Sequence, residues 1–139
     1  MKRINALLLL LAAACSTAQA TSTVEAARQS LKNYGLANCL GERFPEPSAM
    51  GQDVRHAIGM YGVLGAGLHN VLQNEDTLET LHDPYNATTD YVTAAYARAS
   101  GRSKYSPTKV VLHACLEVYN SRAFDDFIQT QDRYIRDDS

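Results

Sequence analysis

The sequence predicts an all-α fold, a compact bundle of about five helices carrying one disulfide. Three observations predict it. Apolar residues recur at three- and four-residue intervals in five stretches beyond residue 20, and no stretch sustains the alternation of a strand. Proline, glycine and serine fall between those stretches where helices stop and start. Cys39 and Cys115 lie beside the apolar sides of the first and fourth stretches, so one bond would tie two helices.

The first twenty residues read as a leader. Lys2 and Arg3 are followed by the apolar run Ala6–Ala14 and by the small-x-small site Ala18-Gln19-Ala20, the layout of a cleavable secretory signal peptide. The run is far shorter than the roughly 20 residues that span a bilayer. Ala12-Ala13-Ala14-Cys15 offers a second possibility, a lipoprotein site with Cys15 acylated, which is the one route to membrane attachment. Cleavage after Ala20 leaves residues 21–139, a single domain by length. Two of the 13 basic residues and none of the 15 acidic ones lie in the leader, so the remainder carries −4. An acidic chain of this kind is a poor ligand for nucleic acid or anionic lipid. A basic partner surface would suit it, as would simple solubility.

The first helix is expected from Ser22, where Ser22 and Glu25 form a capping box. Val24, Ala27, Leu31, Tyr34 and Asn38 give its inner face, and Gly41, Pro45 and Pro47 end it. The second is expected from Gln52 to Leu72, on the stripe Val54, Ala57, Ile58, Tyr61, Leu64 or Gly65, Leu68 and Val71. Gly59, Gly62, Gly65 and Gly67 lie inside it, each costing up to about 1 kcal/mol against alanine. Close approach of another helix would offset that, which makes Gly59, Gly62 and Ala66 candidate dimer contacts. His56, His69 and Gln52 argue against a membrane pairing helix.

Residues 73–89 are polar and acidic, with Thr77 to His82 readable as one helical turn ended before Pro84. A third helix is expected after Thr88 or Thr89 and stops at Ser100-Gly101. Arg102, Ser103, Lys104 and Tyr105 then make a short basic loop with an aromatic tip. Ser106 and Pro107 would open the fourth helix, and Ser121 would cap the fifth, which carries Phe124, Phe127, Ile128, Gln131, Tyr134 and Ile135.

In an oxidising compartment an isolated cysteine pair favours a disulfide, here worth about 4 kcal/mol in the chain-entropy description. A reactive thiol or a metal site are the rival readings. His113 precedes Cys115 by two residues, a separation that points the two side chains apart on a helix. His56 and His69 diverge for the same reason, and a metal needs several converging ligands. Asp125-Asp126 and Asp137-Asp138 read as solvated surface rather than as a glycosidase pair. The sequence therefore predicts no catalytic residue, no metal and no cofactor.

Cys115-Leu-Glu-Val-Tyr-Asn-Ser-Arg-Ala-Phe-Asp125, with Tyr134 beyond it, resembles the C-terminal signature of bacterial immunity proteins against type VI secreted cell-wall amidases of the fourth amidase family. Cys115, Leu116, Glu117, Tyr119, Ser121 and Asp125 match that signature. Asn120 stands where histidine is common, Arg122 where lysine is, and Phe124 where leucine is. The leader, the segment Leu31–Cys39 and the glycine-rich second helix look similar too. The resemblance implies a periplasmic, all-helical homodimer that blocks the substrate groove of a Cys-His peptidoglycan amidase. An immunity protein of another type VI family, a lysozyme inhibitor, and more remotely a small thiol hydrolase are the alternatives. An inhibitor needs a projecting, preordered surface. Arg102, Ser103, Lys104 and Tyr105, together with Asp83, Tyr85 and Asp90, are the candidates for contact with the amidase.

Overall fold

The computed structural model describes residues 4–137, and side chains from Thr23 onward. The leader residues Lys2 and Arg3 lie outside the described residues. So do the side chains of Cys15, of Ala18-Gln19-Ala20 and of Ser22, and the terminal Asp138.

Five helices form the fold: α1 (Ile4–Gly41), α2 (Ala49–Tyr61), α3 (Pro84–Arg98), α4 (Val111–Tyr119) and α5 (Arg122–Gln129). A 3-10 turn, Asp132–Tyr134, follows α5. The other four helices all pack on α1. Its buried stripe is Ala27, Leu31, Gly35 and Cys39, four residues apart and so on one face. α1 begins before the expected Ser22 because the Leu- and Ala-rich run preceding it is itself strongly helix-forming.

Cys39 and Cys115 are bonded, with Cα atoms 5.8 Å apart, and each is 1% exposed. The bond ties α1 to α4 beside a core of Leu31, Tyr85, Val92, Val118, Phe124 and Ile128. Other residues of the Cys115–Asp125 motif reinforce the same joint. Ser121 caps α5 by accepting from Phe124 N at 3.2 Å and donates to Val118 O at 2.7 Å. Asp125 takes Lys32 Nζ at 2.6 Å, and that ammonium also lies over the Tyr119 ring. The Tyr119 hydroxyl accepts from Gln29 and donates to Asn33 on α1. The motif holds the C-terminal helices against α1.

Several expected boundaries differ: α2 opens at Ala49, not Gln52, because Ser48 caps it by accepting from Gly51 N at 3.0 Å. α2 stops at Tyr61, not Leu72, because Gly62 is extended and the chain folds back into a turn over residues 62–67. α3 begins at Pro84, five residues early. Asp83 accepts from Tyr85 N at 2.8 Å and Asn86 N at 3.2 Å, and Pro84 takes the first helical position where no N–H is needed. The restriction before proline falls on Asp83 alone, which is extended as required, so this proline opens a helix instead of ending one. α4 begins at Val111, because Ser106 and Thr108 spend their hydroxyls inside the preceding loop. α5 ends at Gln129, leaving Tyr134 in the 3-10 turn.

Residues 72–82, expected in part as a helical turn, form an antiparallel hairpin, β1 (Leu72–Gln73) with β2 (Thr80–His82). Leu72 pairs with His82 and Gln73 with Thr80, with an irregularity between them. Asn74 shapes the loop: its Oδ1 accepts from Asp76 N and Thr77 N, and its carbonyl accepts from Leu78 N. Leu78 adopts φ 58°, an uncommon conformation for a residue with a Cβ.

The C-terminal segment returns beside residues 68–70. Asn70 N donates to Tyr134 O at 2.7 Å and Arg136 N to Leu68 O at 2.9 Å. His69 lies beneath it, 1% exposed, and neither ring nitrogen meets a hydrogen-bond partner. Burial, reinforced by Arg136 and opposed by Asp132, pulls the imidazole down to about 4. Its folded value lies below the ordinary 6.5, so the unfolded chain binds the extra proton between pH 6.5 and about 4. This contribution is complete above pH 6.5 and is lost as the pH falls through that window, by up to about 3 kcal/mol. Urea unfolding at a series of pH values should therefore show a steeper acid loss for the wild type than for His69→Leu. Parallel curves would contradict the assignment.

Candidate functional site

The turn after α2 is built by close backbone approach. Gly65 N and Gly67 N donate to Gly62 O, and Ala66 N donates to Met60 O at 2.7 Å. A Cβ at Gly65 would lie 2.4 Å from Gly59 O, and one at Gly67 would lie 2.2 Å from the Tyr85 hydroxyl. The chain itself thus requires glycine there, and no second helix is needed to account for it. Gly62 is buried and Gly59 is exposed with open space beyond its Cα. Ala66 is exposed on the same turn. Gly62, Gly65 and Gly67 thus serve an intramolecular turn, whereas the turn gives no reason for glycine at Gly59 inside α2.

This turn carries Leu64 at its apex, 99% exposed, flanked by Met60 at 66% and Val63 at 42%. Leu64 was expected on the inner stripe of a longer helix; the end of α2 at Tyr61 turns it outward. Beside it opens a cleft of about 280 Å³. Tyr34, Ile58 and Tyr85 line its apolar side, and Leu64, Asp83 and Asn86 also border it. Tyr34 and Tyr85 meet edge to face at 5.1 Å. The Tyr85 hydroxyl accepts from His69 N and donates to His69 O, each at 3.2 Å, and burial pushes its ionisation up. Adjacent apolar projection and hollow, on a frame fixed by backbone bonds, suit the desolvated centre of a protein interface.

The expected contact residues separate into three places. Asp83 and Tyr85 border this cleft; Asp83 is half-buried and spends its Oδ1 on the cap of α3, and Tyr85 is a core residue 3% exposed. Asp90 is exposed on the outer face of α3. Arg102, Ser103, Lys104 and Tyr105 lie in a loop closed by Val110 N donating to Gly101 O at 2.8 Å and by a bridge between Ser103 and Ser106. Tyr105 is its tip, 96% exposed. Met60, Val63 and Leu64 were missed as surface. Four glycines within nine residues, from Gly59 to Gly67, were the available sign of a turn.

Among the described residues no three His, Cys, Asp or Glu side chains converge as a metal site requires, and no helix is long and apolar enough to cross a membrane. The chain matches no family model, no curated protein and no solved structure.

Proposed function

We propose that this chain is an exported immunity protein that binds a secreted peptidoglycan amidase and closes its substrate groove, without catalysis of its own. The observation that carries the reading is the glycine-built turn that holds Leu64 fully exposed beside an apolar cleft. Preordering of that kind lowers the entropy lost on binding. The resemblance of the Cys115–Asp125 motif names the class of partner. The leader supports a periplasmic location, with residues 21–139 as the working domain, a second copy of the chain as partner, and membrane attachment only through Cys15. The bonded and buried state of Cys39 and Cys115 weighs against the thiol hydrolase.

The test is protection. Cells expressing the full chain should survive a co-expressed, periplasm-directed amidase of this type, above all one encoded beside it. Leu64→Asp should weaken binding about 30-fold or more, a central-anchor effect. It should leave the fold intact, because the side chain it replaces is 99% exposed. Lack of protection against every amidase of the type would end the reading, and inhibition of lysozyme instead would replace it with the alternative inhibitor.

A further inference from the structure

His69 is buried, yet neither of its ring nitrogens meets a hydrogen-bond partner among the described residues. Buried polar groups normally find one, so an orphaned imidazole calls for a reason. Tyr85 of α3 meets the ring edge to face, with centroids 6.4 Å apart, and its hydroxyl bonds the His69 backbone at N and O. The segment after α5 supplies the rest of the cover. His69 and Ile135 form an isolated antiparallel bridge, flanked by the bonds from Asn70 N to Tyr134 O and from Arg136 N to Leu68 O.

Residues 131–136 thus form a strap over the ring. Its side chains fasten it elsewhere: the Arg28 guanidinium donates to both carboxylate oxygens of Asp132, Gln131 bonds the His82 ring at 2.8 Å, and Tyr134 stacks on that ring at 4.2 Å. The strap also reaches the glycine turn. Arg136 Nη2 donates to Val63 O at 3.4 Å, beside Leu64, and Leu68, which accepts from Arg136 N, follows Gly67 at the other end of the turn. The charges that act on the imidazole are both on the strap: Asp132 favours a charged ring and Arg136 opposes it. Around them stand Tyr85 from α3, Arg28 from α1, His82 from β2 and Tyr134.

We propose that His69 is an acid-sensitive latch: protonation of its ring releases the strap from residues 68–70 and loosens the Leu64 turn that the strap backs, while the disulfide-tied core stays folded. An imidazolium carries two N–H donors and a charge, and its surroundings offer no acceptor for either donor. Water reaches the ring at least cost by lifting the strap, which lies at the end of the chain and pairs with residues 68–70 through two backbone bonds. Withdrawing Tyr85 instead would open the core. Segments held by few contacts open locally, well below the free energy of global unfolding. The open form binds the proton and the closed form excludes it, so acid draws the population open. Burial holds the closed ring at about 4, against 6.5 once released. The consequence for a partner rests on the reading of the Leu64 turn given above; the opening itself does not.

The experiment is amide hydrogen exchange, read residue by residue by NMR on the protein purified from expression of the full chain. Between about pH 7.5 and about pH 5 the protection of the Asn70 and Arg136 amides should fall about 30-fold, the factor by which the proton favours the open form for a ring moving between about 4 and 6.5. That protection should stay well below the protection of Leu31 and Cys39 in α1 and should respond little to low urea, since lifting the strap exposes little surface. The Ala66 and Gly67 amides of the turn should follow the strap. His69→Leu keeps Asp132, Arg136 and His82 and should abolish the fall; a fall that persists would belong to those groups and overturn the proposal. Should His69→Leu fail to fold, the wild-type ring resonances decide, and a ring that charges near pH 6.5 with the strap still protected overturns it. Strap amides that share the protection and urea dependence of the core would do so too, because the ring would then charge only on global unfolding. So would turn amides that stay unmoved as the strap opens. A chain that opens in this way but inhibits no amidase would sink the immunity reading and leave the latch standing.

Discussion

Replacing Cys39 and Cys115 together by alanine lowers the free energy of unfolding by about 4 kcal/mol. The cysteines are separated by 76 residues, so the bond closes a loop of more than half the chain. It removes that loop's freedom from the unfolded ensemble. A domain of this size is stable by roughly 5–15 kcal/mol, so the loss is a large fraction of the total. Urea unfolding should show a much lower midpoint for the double variant, and the wild type in reductant should approach it. Equal midpoints would mean that the unfolded chain is already compact enough for the bond to constrain little.

Phe124→Ala should cost a similar amount, about 4 kcal/mol. Phe124 is 0% exposed and is the largest fully buried side chain among the described residues. It stacks on Tyr91 at 5.4 Å, and its ring tip presses on α1 where Gly35 leaves room. A Cβ at Gly35 would stand 2.7 Å from Phe124 Cζ. Gly35→Ala should therefore destabilise the wild type through that clash. In the Phe124→Ala background the shortest clash is gone while Thr88 Cγ2 at 3.0 Å and Val92 Cγ1 at 3.2 Å stay close, so alanine should cost less there than in the wild type, helped by its higher helix propensity. The two substitutions should couple by about 1–3 kcal/mol in a double-mutant cycle. Additive effects would show that α1 and α5 are not in the close contact described.

Gly35 marks where sequence reasoning reaches its limit. The inner face of α1 was legible, because Ala27, Leu31 and Cys39 recur with the helical period whatever the neighbours are. The reason for a glycine between them was not, since it lies in the ring of a residue almost ninety positions away. The cap of α5 was legible, because Ser121 and Phe124 are local. The disulfide was legible as the only pair left beyond the leader. The cap of α3 was local too, but Pro84 was read as a stop, when its position directly after an aspartate made it a start. The β1–β2 hairpin was hidden by its shortness, for strands of two and three residues carry too little alternation to register.

The candidate site was less legible than the fold. Asp83 and Tyr85 were singled out as surface, yet one is consumed in capping and the other in the core. Leu64 was assigned to the interior, yet it is the most exposed large apolar side chain of the described residues. The placing of Leu64 turned on a single helix boundary. Which way Leu64 points depends on whether α2 continues past Tyr61, and each residue of extra helix turns the following side chains by about 100°.

By itself the sequence determined the helical class, the pairing of the two cysteines, the inner face of α1 and the cap of α5. These follow from composition and from spacings of a few residues, so local physics decides them. Only the tertiary structure decided which side chains are left for a partner. That depended on backbone contacts across the glycine turn and on Tyr85 and His69 meeting from different segments, and on which charges found one another across the bundle. Exposure is a property of the whole packed chain, because every side chain is covered or uncovered by residues far from it in sequence.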